Sequence, residues 1–326
     1  MTGPNSRGKV AWAVTTGATG MRTQARGLAE AVADTVIEKT VGVRFPWSLL
    51  PGAWARSPRA VIDPDPELDQ LEPPWPDLIV TCGRKSAAAA VAVKHASGGR
   101  TVAVHVQDPL TDPKAFDLVV AMPHDRARGE NVLTVPTALH DLTPAKLQAA
   151  ADKWRERFAP LGHPLIGVVL GGSTRNYDFD PAAGERLITL LRKAKDASGA
   201  GLAITPSPRT PQHLIGAFGS AFLGDPRVFL WDRDGTNPYH GILALADRLV
   251  VTSDSVSMMS EAISSPHPVE VFDLGGERHA PILDRLIEEG LVARFEGAAK
   301  PAATTGPLNS TMVAAERVRA IMDARA

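Results

Sequence analysis

Residues 252–261 read Thr252-Ser253-Asp254-Ser255-Val256-Ser257-Met258-Met259-Ser260-Glu261 and sit where an apolar run, 248–252, gives way to a helical pattern. Four serines and an aspartate therefore crowd a helix N-terminus. The N–H groups there have no intrahelical partner and carry partial positive charge, so with hydroxyls beside them they suit phosphate or ribose oxygens. Glu261 lies one turn further in. A carboxylate is acceptor-only with two oxygens, which matches a pair of vicinal hydroxyls. Capping by Asp254 or Ser255 is the simpler role for such residues, but a cap needs one of them and not five.

Two more segments follow apolar runs in the same way. Gly171-Gly172-Ser173-Thr174-Arg175-Asn176 comes straight after the run 165–170. A strand feeding a glycine pair and then a helix would deliver backbone N–H groups at the carboxyl edge of a sheet, where α/β folds bind phosphates. Ser173, Thr174 and Arg175 would add donors and charge. An ordinary strand-to-helix turn is the alternative. Neither G-x-G-x-x-G nor a GK[ST] loop occurs. Thr205-Pro206-Ser207-Pro208-Arg209-Thr210 follows the run 202–205. Its prolines stiffen the loop, and Arg209 could reach an anion at the same edge or serve a polar turn.

The elements that would position these loops alternate along the chain. Short β-rich runs lie at 9–14, 77–82, 101–106, 117–121 and 132–135, and again at 165–170, 202–205, 228–231, 248–252 and 269–272. Helical spacing appears at 20–34, 84–96, 143–158, 180–197, 211–221, 238–246, 255–264, 280–288 and 309–325. Continuous apolar strands alternating with helices indicate parallel sheets covered on both faces, an α/β fold. With 326 residues the chain suits two domains, placed at 1–160 and 161–308, with a last helix in 309–326 packing back on the first. The stretch 46–76 carries Pro51, Pro58, Pro64, Pro66, Pro73, Pro74 and Pro76 and reads as a surface excursion pinned by Trp47, Trp54 and Trp75. Exposure of those tryptophans to a partner is the other reading.

Bulk properties exclude several classes. The formal net charge is -1 and the densest basic run, Arg22 to Arg26, is short, so no nucleic-acid partner is expected. The single cysteine, Cys82, ends an apolar run; a disulfide framework is impossible and a buried thiol is expected. No His and carboxylate spacing suggests a metal, and no bound cofactor is expected. There is no signal-peptide core and no run near the roughly 20 apolar residues of a membrane span. A cytoplasmic protein, peripheral on the inner membrane at most, is the expectation.

The string from Tyr239 through Ala246, Asp247, Val251, Ser253, Ser260-Glu261 and Pro268 to Phe272, with Gly171-Gly172-Ser173 before it, resembles the donor-binding segment of GT-B glycosyltransferases, the lipid-linked GlcNAc transferases of peptidoglycan synthesis being close relatives in pattern. Ser264-Ser265-Pro266-His267-Pro268 departs from their Gly-x-Pro turn. Over most of its length the chain more closely resembles the mitochondrial-fission-factor-like family. The matching stretches are Gly17-x-x-Gly20-Met21-x-x-Gln24-Ala25-x-Gly27-Leu28-Ala29-Glu30, Gly83-Arg84, Val106-Gln107-Asp108-Pro109, Pro123-His124-Asp125, Gly171-Gly172, Thr205-x-Ser207-x-Arg209, Asp232, Asn237-Pro238-Tyr239, Asp247 and Thr252-x-Asp254-Ser255-x-Ser257-Met258-x-Ser260-Glu261.

These resemblances imply two Rossmann-like domains facing a cleft. Glu261 would bind the ribose of a nucleotide sugar, a UDP- or GDP-sugar. Ser173 and the run from Ser255 through Met258 to Met259 would face its pyrophosphate, with Gly171, Gly172, Ser207, Arg209, Tyr239, Ser253 and Ser257 around it. Gly17, Gly20, Gly83, Arg84 and Gln107 would face the cleft from the first domain. Asp108, His124 and Asp125 are candidates for the base that a metal-independent glycosyltransferase needs, loop capping being their alternative role. A nucleotide-sugar epimerase is a variant of this reading. A non-enzymatic scaffold that uses 46–76 to meet a protein or membrane partner is the rival reading, since fold does not fix function.

Overall fold

A computed structural model describes residues 8–173, 178–275 and 280–325. The chain divides into two compact units, residues 1–141 with 310–326 and residues 142–309. The boundary therefore falls before the helix 144–158 and not after it, as the sequence pattern suggested. That helix packs against a helix of the second unit, which gives its apolar face a partner there.

Unit 1 runs β1 (Val10–Thr15), α1 (Thr19–Val32), β2 (Thr35–Thr40), α2 (Pro58–Val61), β3 (Leu78–Cys82), α3 (Ala87–Ala96), β4 (Val102–Val106), β5 (Leu118–Ala121) and β6 (Val132–Thr134). Unit 2 runs α4 (Pro144–Phe158), β7 (Leu165–Leu170), α5 (Pro181–Ser198), β8 (Gly201–Pro206), α6 (Gln212–Ala221), β9 (Val228–Leu230), α7 (Tyr239–Leu245), β10 (Arg248–Thr252), α8 (Val256–Ile263), β11 (Val269–Phe272), α9 (Ala280–Glu288) and β12 (Ala293–Arg294). The last helix, α10 (Ser310–Asp323), returns to unit 1 and packs on α1.

Among the described residues each unit holds one six-stranded sheet, ordered β2-β1-β3-β4-β5-β6 and β12-β11-β10-β7-β8-β9. Every described strand pair is parallel. Parallel strands need crossovers that return over the sheet, which is why the helices cover both faces. Central strands are buried at every residue: β3, β4, β7, β8 and β10 each read so along their whole length. Each fully buried Leu or Ile among them contributes about 1.5–3 kcal/mol. In the second sheet the chain leaves β7 toward β8 on one side, while β10 lies on the other. The gap between β7 and β10 is thus the point where strand order reverses, the usual position of an α/β ligand site.

The edge strands β2 and β12 escaped the sequence pattern. Thr35–Thr40 is half-exposed and carries Glu38 and Lys39, so its apolar signal is diluted. The proline-rich excursion contains only a 3-10 turn at Gly52–Trp54 and the single turn α2. Trp47 and Trp75 pack against the core of unit 1, and Trp75 meets Trp12 edge-on at 6.0 Å. Trp54 does not pin the segment, being 59% exposed. Cys82 is buried, and burial pushes its thiol pKa up.

Candidate functional site

The carboxyl edge of the second sheet gathers the loops after β7, β8 and β10, and a buried carboxylate holds them. The Asp254 side chain is 0% exposed. Its Oδ1 accepts from the Thr252 hydroxyl at 2.7 Å, and its Oδ2 accepts from the Gly172 N–H at 3.0 Å and an Arg209 Nη at 3.1 Å. The Thr252 hydroxyl in turn accepts from the Gly171 N–H at 2.8 Å. One aspartate thus ties three strand exits together.

This overturns the role expected for the glycine pair. Both N–H groups donate inside the protein, Gly171 to Thr252 and Gly172 to Asp254. The glycines serve close approach instead. A Cβ on Gly171 would lie 1.9 Å from Asp254 Oδ1, and one on Gly172 would lie 2.1 Å from the Arg209 carbonyl oxygen. The next described helix, α5, starts at Pro181, where the helical spacing from 180 placed it, and is capped by Asp180, whose carboxylate accepts from the Ala183 N–H at 2.6 Å. Ser173 is tied back as well. Its hydroxyl accepts from the Phe179 N–H at 3.1 Å and reaches Asp178 at 3.3 Å. Thr174, Arg175 and Asn176 lie outside the described residues.

The loop after β8 is a hydrogen-bonded turn. Thr210 Oγ1 accepts from the Ser207 N–H at 2.9 Å and donates to the Gly171 carbonyl. Ser207 Oγ accepts from the Arg209 N–H at 3.2 Å. Arg233, itself at φ 77°, donates from one Nη to the carbonyls of Ser207 and Thr210. Arg209 is the charge this scaffold presents, with 43% of its side chain exposed.

At α8, Ser255 is the N-cap and its hydroxyl accepts from the Met258 N–H at 3.4 Å. The N–H groups of Val256 and Ser257, first in the helix, then lack an intrahelical acceptor and point out of its N-terminus. Ser257 and Glu261 are half-buried. Two expected contacts fail here. Met259 is fully buried in the core and cannot face a pyrophosphate. Ser253 is buried, donating to Asp273 at 3.3 Å and accepting from the Leu274 N–H at 3.0 Å, so it braces the exit of β11. Tyr239 opens α7 and packs against the same core. Beside β9 runs a groove of about 430 Å³ lined by Trp154, Arg157, Phe229, Trp231 and Asp234 among others.

The unit 1 candidates lie at the carboxyl ends of β1, β3, β4 and β5. Gly17 and Gly83 have φ of 98° and 83°. Gly20 opens onto free space in the first turn of α1, and Gln107 sits at φ 76° with its N–H on the Val120 carbonyl. Arg84 is exposed. The two acids proposed as bases cap loops. Asp108 accepts from the Leu110 N–H at 2.9 Å and the Arg126 N–H at 3.0 Å. Asp125 accepts from the Met122 N–H at 2.8 Å. His124 is 49% exposed, 4.0 Å from Asp125. The residues that sequence reasoning missed are Asp254 as the keystone, Thr252, Thr210 and Arg233. The only advance signal was Asp254 inside a polar crowd larger than a cap needs.

The family described as Mitochondrial fission ELM1 matches residues 19–322. The Arabidopsis thaliana protein named Mitochondrial fission protein ELM1 is 29% identical over 280 residues, covering 77% of this chain and 65% of its own length. The chain therefore aligns with less than two thirds of that relative. Among solved structures, UDP-GlcNAc 2-epimerase from Methanocaldococcus jannaschii superposes with a TM-score of 0.58 at 11% identity, covering 97% of this chain and 99% of its own. The same enzyme in complex with UDP-GlcNAc and UDP gives 0.50 at 13% identity, with the same coverage. At such identities the likeness carries the fold, which is GT-B-like.

Proposed function

The chain belongs to the Mitochondrial fission ELM1 family, and we propose that its second unit binds the diphosphate of a nucleotide sugar, a UDP- or GDP-sugar, at the carboxyl edge of its sheet. The observation that carries this reading is the convergence of three loops on Asp254 at the point where strand order reverses. It leaves a half-exposed Arg209 beside the N-terminus of α8. A preorganised cation and unpaired helix N–H groups are what a diphosphate needs, and they require no rearrangement to receive it. Glu261, one turn into α8, is placed for the ribose hydroxyls. Nucleotide-sugar complexes of a protein with this fold support the choice of ligand.

Metal-independent glycosyl transfer or epimerisation would build on that binding. A second reading, binding without chemistry, is favoured by one observation: Asp108 and Asp125 already accept backbone N–H groups as loop caps. Calorimetry with UDP, GDP, UDP-GlcNAc and GDP-mannose tests the binding. Saturable binding to one of them, weakened at least about tenfold in Glu261→Ala and in Arg209→Ala, is expected, each losing a charged hydrogen bond. Heat release from none of them would sink the proposal. Product formation from the bound sugar then separates the enzyme from the binding protein.

A further inference from the structure

We propose that the turn 44–54 and the loop 108–111 of unit 1 form a docking surface for a bilayer carrying anionic phospholipid. Phe45 is 76% exposed, Leu49 68%, Trp54 59%, Leu110 54% and Leu50 37%. Single exposed apolar residues need no explanation, but five on two adjoining segments do. Short hydrogen bonds hold them outward. The N–H groups of Leu49 and Leu50 donate to the Pro46 carbonyl at 2.9 and 3.1 Å, and the Trp54 N–H donates to Pro51 at 3.1 Å. Between them Trp47 packs into the core, so the turn is fastened while its apolar tips stay in solvent.

The second segment joins the first. The Ala53 N–H donates to Thr111 Oγ1 at 3.1 Å. A small cavity of about 70 Å³ is lined by Trp47, Leu49, Leu50, Arg84, Lys85 and Leu110, among others. Leu110 is held at φ 50°, a conformation that non-glycine residues rarely adopt, by the Asp108 carboxylate on its N–H. The backbone is thus constrained to keep a leucine exposed that burial does not reward.

Charge selects the partner. Residues 41–62 contain Arg44, Arg56 and Arg59 and no Asp or Glu; residues 78–107 contain Arg84, Lys85, Lys94 and Arg100 and again no Asp or Glu. The whole chain carries 35 basic and 36 acidic residues, so this segregation is local. Arg84 and Lys85 are exposed beside the leucines, while Arg59 meets Glu72 at 3.9 Å. Lys94 is paired with Asp117 at 2.6 Å, and the acids of the adjoining loop, Asp108 and Asp112, are turned to backbone N–H groups. Tryptophan and leucine tips with the exposed Arg84 and Lys85 beside them match an interfacial site, in which apolar groups enter the headgroup layer and cations meet lipid phosphates. No described helix is long and apolar enough to cross a membrane, so this hold is a surface one.

Co-sedimentation of the full chain with vesicles tests the surface. Binding to phosphatidylcholine containing about one third phosphatidylserine, and little to phosphatidylcholine alone, is expected, falling steeply as salt is raised. Arg84→Glu with Lys85→Glu should weaken partition by about thirty-fold or more, from roughly fivefold per cation near an anionic surface. Leu49→Ser with Trp54→Ser should weaken it about tenfold or more at unchanged thermal stability, since both side chains are exposed. Arg186→Glu with Lys193→Glu, on exposed positions of α5, changes the net charge equally and should leave binding near the wild-type value. Absence of binding to the anionic vesicles overturns the proposal. So does equal binding to neutral ones, or equal loss in the α5 pair. Patch-dependent self-association without vesicle binding would overturn it in favour of a protein surface.

Discussion

The two units solve one architectural problem in opposite ways. Each carries a parallel six-stranded sheet whose carboxyl edge must be closed by loops. In unit 2 a single buried carboxylate, Asp254, links the exits of β7, β8 and β10, and the exposed end of the assembly is cationic and polar. In unit 1 Asp108 and Asp125 stitch neighbouring loops from partly exposed positions, and the exposed tips are apolar with basic flanks. A keystone makes a rigid edge that can present one charge at a fixed place. Local capping makes independent loops that can each carry a different surface. The difference predicts that unit 2 concentrates its fragility in one residue and that unit 1 spreads it.

The largest effect should come from that residue. Asp254→Ala leaves the Gly172 N–H and the Thr252 hydroxyl buried without an acceptor, at a cost of about 3–4 kcal/mol in all. Chemical denaturation followed by hydrogen exchange should show the loss in 142–309 and not in 8–141. Uniform loss across both units would break the contrast. Gly172→Ala comes next, at about 2–3 kcal/mol. Its Cβ would lie 2.1 Å from the Arg209 carbonyl oxygen and 2.2 Å from the carbonyl carbon, which are backbone atoms that move only with the loop. A thermal melt within a degree of wild type would show that the two loops are not locked together.

Much of this scaffold could be read from sequence, and the failures have physical causes. The central strands are continuous apolar runs, and β7, β10 and β11 end where the pattern ends. Strand β2 is hidden because a half-exposed edge tolerates Glu38 and Lys39. The region of the site was legible because serines, Asp254 and Glu261 exceed what capping requires. Their individual orientations were not. Met259 turns inward to the core and Ser253 inward to β11, a matter of helix rotation and strand register that a list of polar residues does not encode. Asp254 was missed because a residue that caps a helix and one that crosslinks three loops look alike in one dimension.

A pH dependence sharpens the comparison from the side of unit 1. His105 on β4 is fully buried, its Nδ1 2.8 Å from the Thr81 hydroxyl and its ring 5.2 Å from Phe116, and burial pushes its pKa down to about 3, with Asp108 opposing. The folded state therefore prefers the neutral ring. Its contribution is complete above the unfolded pKa near 6.5 and is lost as pH falls from there toward 3. Between pH 7 and pH 5 the wild type should lose about 2 kcal/mol to this one group. His105→Asn should flatten that slope by the same amount, whatever it does to stability at pH 7. An identical slope in the variant would mean that the ring is charged or solvated in the native protein. His140, pushed by burial to about 4, adds a slope of the same sign that the variant retains.

The smallest effect is the most discriminating for what unit 1 does. Asp108→Asn keeps one oxygen acceptor and replaces the other with a donor, so one of the N–H groups of Leu110 and Arg126 loses its partner. The cost is about 1 kcal/mol, because both groups border solvent and water recovers part of the bond. Exchange should quicken within 107–112 and 122–128 alone, and Leu110, no longer fixed at positive φ, should relax. If the exposed leucine matters for lipid, vesicle partition should fall in this variant even though no basic or apolar residue was changed. Nucleotide affinity measured by calorimetry should stay at the wild-type value, because the diphosphate contacts proposed for this protein lie in unit 2. A loss of nucleotide affinity in Asp108→Asn would mean that this carboxylate serves the ligand and not the loop.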